Sequence, residues 1–250
     1  MAKNYMVLYG KNSVIERLKA DPSSVRKVFL RDNLKAPGIE ELISANNVPN
    51  ERLPEHELDK MRPAKDLQGV IARVNKFQYA SFEDLLEQSK DIKTTFLFLD
   101  RINDPQNLGA IIRIAACFGG FAAVIPQFDA CEVNETVIHV ASGGENHIPV
   151  SIVNNISNAI LKAKERGFWI MGAVIKDDAE DVSKVSMPFP LGLVLGSEGE
   201  GIRHGIEKHL DIKAKIPMEG AKLSFNVSTA CAIFCHEISK HRGKCDEERE

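Results

Sequence analysis

The chain reads as an α/β protein: a small N-terminal α/β unit followed by a larger unit built on a parallel sheet. Three features of the 250 residues predict this. From Thr94 onward, short apolar runs alternate with helical patterns. Those runs are apolar throughout rather than alternating, as required when helices cover both faces of a parallel sheet. Polar and glycine residues gather directly after the runs, at the sheet edge where α/β proteins bind ligands.

The N-terminal unit spans residues 1–75. After the turn at Gly10, Ser13 to Ala20 predict a short amphipathic helix with Val14, Ile15 and Leu18 on one face. Asp21-Pro22 ends it, and Val25 to Leu30 predict a strand. Pro37-Gly38 breaks the chain before a helix from Ile39 to Asn46, and Gly69 to Val74 predict a further strand. Residues 76–91 form a linker and a first helix, with Ser81 as N-cap and Asp84 where a capping box prefers Glu.

The larger unit spans residues 92–243. Phe96-Leu97-Phe98-Leu99 is a strand, Asn107 to Phe118 a helix stopped by Gly119-Gly120, and Phe121 to Ile125 a strand. Ile148 to Val153 is a strand, followed by a helix from Ile156 to Arg166 with Gly167 at its end. Phe168 to Ile175, Leu191 to Leu195 and Ile212 to Ile216 are strands, and Gly201 to His209 is helical. The last helix, Val227 to His241, is apolar over most of its circumference, so it is buried on more than one side by central packing or by a subunit interface. Residues 244–250 form an acidic tail.

Composition excludes several classes. Apolar content of 44% and charged content of 27% suit a soluble globular protein. No segment approaches the length of a membrane span, and the N-terminus lacks a signal-like apolar run. Five cysteines are scattered through apolar stretches. Cys231 and Cys235 beside His236 lack a second pair at ligand spacing, so buried reduced thiols, no metal and a cytoplasmic location are expected. A net charge of −3 argues against indiscriminate coating of nucleic acid. Residues 1–35 are nonetheless basic, with Lys11, Arg26, Lys27 and Arg31 among their cations.

Three runs carry the chemistry: Asn107 to Arg113, Leu195 to Gly201, and Ile216-Pro217-Met218 leading to Ser224-Phe225-Asn226-Val227-Ser228. The glycines of the second run have the wrong spacing for a dinucleotide fingerprint, and no P-loop lysine follows. Glycine after a strand still lets backbone approach a ligand closely. Together the runs gather an arginine, two amides, a carboxylate and a hydroxyl beside loops whose backbone can bond a flat heterocycle.

In these motifs the chain resembles the SpoU class of RNA 2′-O-ribose methyltransferases, in the SPOUT superfamily. The resemblance covers roughly Thr94 to Gly243, through N-x-G-x-x-x-R at Asn107 to Arg113, L-G-S-E-G-x-G-I at Leu195 to Ile202, and I-P-M-x-G-x-x-x-S-F-N-V-S at Ile216 to Ser228. The first 75 residues resemble the substrate-binding domain of the 23S ribosomal RNA members, through Tyr9 to Val14 and Leu67 to Val70. Relatives often carry serine-alanine-glycine-alanine where this chain has Ser142-Gly143-Gly144-Glu145, and usually leucine at Phe225.

The resemblance implies a C-terminal trefoil knot, a homodimer, S-adenosyl-methionine as cofactor and structured RNA, foremost 23S ribosomal RNA, as substrate; transfer RNA as substrate, or an RNA-binding module that has kept the fold and lost the chemistry, are the alternatives. It places the cofactor against Leu195, Gly196, Gly199, Ile216, Met218, Ser224 and Phe225. It implies a catalytic set of Arg113, Asn107, Glu198, Ser224 and Asn226, with Glu198 holding Arg113 or Asn107. Lys11, Arg26, Lys27 and Arg31 would meet the RNA. Arg113 would be the general base, assisted by Ser224 and a substrate phosphate. A guanidinium surrenders its proton so reluctantly that an electrostatic role fits its chemistry at least as well.

Overall fold

The computed structural model describes residues 4–63, 67–89, 94–221 and 223–247. Lys3, linker residues 90–93 and residues 248–250 of the expected tail lie outside them.

The first elements are β1 (Met6–Tyr9), α1 (Lys11–Ala20), β2 (Val25–Arg31), α2 (Pro37–Ala45), β3 (Asn50–Leu53), α3 (Glu55–Met61) and β4 (Val70–Val74). They form a four-stranded sheet of order β1-β4-β2-β3. Helix α1 buries Ser13, Val14 and Leu18, close to the face its apolar spacing predicts, and the Asp21 carboxylate accepts from the Ser24 amide as the chain turns into β2. Strand β3 and helix α3 were not expected. Asn50-Glu51-Arg52-Leu53 carries one apolar side chain, and only pairing with β2 at the sheet edge makes it a strand.

Helix α4 (Phe82–Gln88) starts where Ser81 predicts, its hydroxyl accepting from the Asp84 amide at 3.3 Å. The second sheet contains β5 (Thr95–Asp100), β6 (Phe121–Pro126), β7 (Val150–Val153), β8 (Trp169–Ala173), β9 (Glu180–Asp181), β10 (Leu191–Gly196) and β11 (Ile212–Lys215). Its order is β7-β6-β5-β10-β8-β11-β9, and every pairing is parallel. The helices are α5 (Pro105–Phe118), α6 (Glu135–Ala141), α7 (Ile156–Glu165), α8 (His204–Glu207) and α9 (Val227–Glu247).

Strand β5 explains why the apolar runs do not alternate. Phe96 and Phe98 enter one core with Phe82, Phe168 and Ile160, while Leu97 and Leu99 enter the other with Ile112, Phe234 and Ile238. All are fully or almost fully buried, and each such side chain contributes about 1.5–3 kcal/mol through burial. Strand β10 lies beside β5 at the middle of the sheet, so the ends of both strands open on the same edge.

Two expectations need correction. Only His204–Glu207 of the span 201–209 is α-helical, because Gly201 has a left-handed φ of 67° and bridges back to Ser197. The last helix continues to Glu247, so the first residues of the expected tail belong to it. Helix α6 drew no signal because Thr136, Val137, Ile138 and Val140 are β-branched. Asn134 nucleates it, accepting from the Thr136 and Val137 amides at 2.9 and 3.0 Å.

The first sheet docks on the second unit through a polar seam. Glu135 accepts from the Val7 amide at 2.8 Å and pairs with Arg62 at 2.6 Å. Arg17 pairs with the buried Glu145 at 3.2 Å, and His147 meets Glu16 at 3.0 Å. The Tyr9 and His139 rings stack at 3.9 Å. Gly143 has φ 97°, and a Cβ there would stand 2.4 Å from the Glu16 Cβ. The Ser142 to Glu145 run is thus the seat of α1.

Candidate functional site

The glycine-rich loop leaves β10 at Gly196 and doubles back at once. The Gly201 amide donates to the Ser197 carbonyl at 2.9 Å. A Cβ on Gly196 would stand 2.2 Å from the Gly201 carbonyl carbon and 2.3 Å from the Ile202 nitrogen, so only glycine lets the loop close.

The neighbouring end of β5 anchors this loop. Asp100 is fully buried, and its carboxylate accepts from Arg203 Nε at 2.7 Å and from the Arg203 amide at 3.0 Å. Arg101 follows with a left-handed φ of 60° and donates to Glu200 at 2.6 Å. Successive residues of one strand end therefore hold both ends of the segment 200–203. Sequence reasoning missed Asp100, Arg101, Glu200 and Arg203. The available signal was an acid closing an otherwise apolar strand, which has to find a partner when buried.

The third run passes from β11 through Ile216 and Met218 to the start of α9. Asn226 accepts from the Ser228 amide at 2.8 Å and from its hydroxyl at 2.6 Å. Its amide nitrogen donates to Asn107 Oδ1 at 2.9 Å and to Glu198 Oε1 at 2.6 Å, and Asn107 Nδ2 donates to the same Glu198 oxygen at 2.9 Å. Asn107, Glu198 and Asn226 thus close a triangle joining all three motifs. Of the two partners expected for Glu198, the structure gives it Asn107; Asn226 is added.

Beside the triangle lies a cavity of about 690 Å³. Leu195, Gly196, Gly199, Ile216, Met218, Ser224 and Phe225 all line it, as do Glu198 and Arg101. Asn107, Asn226 and Arg113 are not in its wall. Arg113 is exposed on α5 and makes no hydrogen bond or ion pair among the described residues. Its Cα stands 3.0 Å from where a Cβ on Gly144 would be. Gly109 has a separate duty: a Cβ there would come within 2.7 Å of the Val137 carbonyl and the Val140 side chain on α6.

The cations expected to meet RNA are partly engaged. Lys27 pairs with Glu51 at 2.8 Å, Arg31 with Glu55 at 3.1 Å, and Arg26 Nε donates to Asn75 at 2.8 Å. The backbone amide of Lys11 donates to Gln68 at 2.9 Å. Cys231 and Cys235 are buried with their sulfurs 3.7 Å apart; the hydrogen bond between them and their burial push the Cys231 thiol well above its usual range. Among the described residues no three His, Cys, Asp or Glu side chains gather at ligand spacing, and no helix is long and apolar enough to cross a membrane.

The three-motif junction coincides with a family signature. Residues 94–236 match the SpoU rRNA methylase family, and residues 7–80 match the substrate-binding domain of RNA 2′-O-ribose methyltransferases. The chain belongs to the SpoU rRNA methylase family. It is 34% identical to a putative TrmH-family tRNA/rRNA methyltransferase of Bacillus subtilis, over 99% of this chain and 100% of that protein. It is also 34% identical to the 23S rRNA (guanosine-2′-O-)-methyltransferase of Nitrosomonas europaea, over 95% of this chain and 92% of that one. The fold matches the SpoU methyltransferase AviRb of Streptomyces viridochromogenes in complex with AdoMet, with a TM-score of 0.80, 19% identity and coverage of 96% of this chain and 92% of that one.

The chain is therefore an RNA 2′-O-ribose methyltransferase, and the AviRb structure holds S-adenosyl-methionine. Its own residues suit that cofactor. The cavity has the size of a small-molecule site, its wall offers loop backbone at Leu195 to Gly201, and Met218 and Phe225 give apolar surface for a heterocycle.

Proposed function

We propose that this enzyme methylates a ribose 2′-hydroxyl of 23S ribosomal RNA in the cytoplasm, acting as a homodimer. Residues 1–75 hold the RNA, and residues 92–243 bind the cofactor and transfer the methyl group. The observation that carries the reading is the Asn107–Glu198–Asn226 triangle at the edge of a cavity of cofactor size.

Bound in that cavity, the cofactor supplies an electrophilic methyl group on a sulfonium, so the protein has to align an acceptor oxygen and manage its charge. Leu195, Gly196, Gly199, Ile216, Met218 and Phe225 hold the cofactor. Ser224 hydrogen-bonds the acceptor hydroxyl. Asn107, Glu198 and Asn226 keep the three loops in register so that Ser224 and the glycine loop face each other. Arg113 stabilises negative charge developing on the ribose oxygen and clamps the adjacent phosphate; its guanidinium stays protonated throughout.

Arg113 stands outside the cavity of its own chain. That position supports a dimer in which each Arg113 serves the partner's cavity. The path of the chain supports a knotted C-terminus: β10 lies between β5 and β8, β11 lies beyond β8, and α9 then returns to pack against α5.

The test mixes Arg113→Ala with Glu198→Ala subunits. Each homodimer is inactive, and the mixed dimer regains about a quarter to a half of wild-type turnover per enzyme when the sites are shared between subunits. Substantial turnover by the Arg113→Ala homodimer, with its cofactor affinity unchanged, refutes the role of the side chain. Mapping 2′-O-methylated riboses with and without the gene decides between 23S ribosomal RNA and transfer RNA.

A further inference from the structure

A second cavity, of about 540 Å³, lies in the seam between the two sheets, away from the cofactor cavity. Arg17, Arg26 and Lys76 bring positive charge to its wall, and Asp21 and Glu145 bring negative charge. Asp21 is occupied by Ser23 and Ser24, and Glu145 Oε1 by Arg17 and Asn146. Arg26 engages only Asn75, and Lys76 has no side-chain partner among the described residues. The wall therefore presents two available cations at the end nearest β2.

The same wall carries what a nucleobase needs. Asn4, Asn75 and Gln78 offer amide donors and acceptors, and Phe77 gives an aromatic surface. Deeper in, Glu145 Oε2 and Arg17 Nε are buried with no hydrogen-bond partner, an acceptor and a donor both unmet. The Glu145 side chain has no exposed surface, so an unmatched oxygen there costs stability unless something supplies a proton donor. The wall residue Glu145 also lies one position from the seat of Arg113, the arginine proposed for catalysis. Gly144, next to Glu145, packs directly on the backbone of Arg113.

We propose that this cleft binds one unpaired nucleotide of the substrate RNA, near the nucleotide that is methylated. Its phosphate lies against Arg26 and Lys76, its base lies on Phe77, and an exocyclic amino group of the base donates to Glu145 Oε2. The inference rests on the RNA-methylating reading and adds a site to it. Single-stranded, splayed-out nucleotides are what proteins read in RNA by stacking and edge hydrogen bonds. Such a nucleotide would couple docking on the first sheet to the placing of Arg113.

The experiment uses the full chain and ribosomal RNA from cells lacking the gene. Arg26→Ala combined with Lys76→Ala is expected to raise KM for RNA about ten-fold with kcat within about two-fold, and to lower the log–log salt slope of RNA binding by about two. RNA substituted with 6-thioguanosine, which keeps an exocyclic amino group, is expected to crosslink to residues 75–78, and the double variant to lose that crosslink. Glu145→Gln keeps the shape of the acid and is expected to weaken RNA whose unpaired base carries an amino group. Unchanged KM and salt slope, with crosslinks only elsewhere, overturn the cleft. Wild-type enzyme that binds and crosslinks at residues 75–78 but methylates no ribosomal RNA instead overturns the substrate reading and leaves the cleft standing.

Discussion

Replacing Gly196 by alanine tests the glycine loop most directly. The added Cβ would sit 2.2 Å from the Gly201 carbonyl carbon, 2.3 Å from the Ile202 nitrogen and 2.4 Å from the Gly201 oxygen. Favourable carbon contacts lie near 3.5–4.0 Å, so the overlap exceeds about 1 Å at three atoms. All three are backbone, and no rotamer change relieves them. The loop must shift away from β10, losing the Ser197–Gly201 bridge and straining the Asp100–Arg203 anchor. Overpacking of this kind costs about 1–3 kcal/mol. In a chain of this size that lowers Tm by roughly 2–12 °C. If the displaced loop has to be restored for binding, cofactor affinity falls by about 5–150-fold. Scanning calorimetry gives the first quantity and titration calorimetry with S-adenosyl-methionine the second. Gly205→Ala, where no heavy atom lies within 4 Å of the new Cβ, is the control and is expected to leave Tm unchanged or slightly raised. Normal cofactor affinity and an unchanged Tm in Gly196→Ala would refute the steric argument.

Glu198→Ala leaves the Asn107 amide, 7% exposed, without its acceptor, while the exposed Asn226 can turn to water. Stability is expected to fall by about 1–3 kcal/mol and methyl transfer by roughly 100-fold through misplacement of the loops; denaturant titration and single-turnover assays check the two, and wild-type turnover would remove the triangle from the mechanism. The seam also has a pH signature with two opposite signs. Burial raises the Glu145 carboxyl above 4.5, with Arg17 only partly offsetting it, so its contribution is fully present below 4.5 and is lost as pH rises through the folded value. Hydrogen bonds from Lys19 and His147 lower Glu16 below 4.5, so its contribution is present above 4.5 and is lost as pH falls through the folded value. Relative to wild type, Glu145→Gln should gain in Tm as pH rises above 4.5, and the deficit of Glu16→Gln should shrink as pH falls below it; parallel Tm profiles for all three proteins would contradict both assignments.

Much of the site could be read from residue order because its parts are local. Gly196 follows an apolar strand, and Asn226 with Ser228 opens a helix; each pattern has one cheap conformation. What escaped depends on partners far away in the chain. Strand β3 exists only because β2 offers it an edge. Helix α6 has β-branched residues that favour a strand, and its Asn134 cap and tight approach to Gly109 outweigh that preference. Asp100 and Arg101 lie just past the predicted strand Phe96 to Leu99, and they anchor a loop a hundred residues on.

The sequence by itself determined the alternation of strands and helices, the doubly buried sheet and the glycine positions, since each follows from side-chain size and periodicity within a short window. Tertiary structure alone decided that Glu198 holds Asn107 and Asn226 rather than Arg113, that Arg113 leaves the cavity of its own chain, and that Ser142 to Glu145 seats α1. Hydrogen bonds and close backbone approaches depend on distances set when separate elements come together, and spacing along the chain does not carry that information.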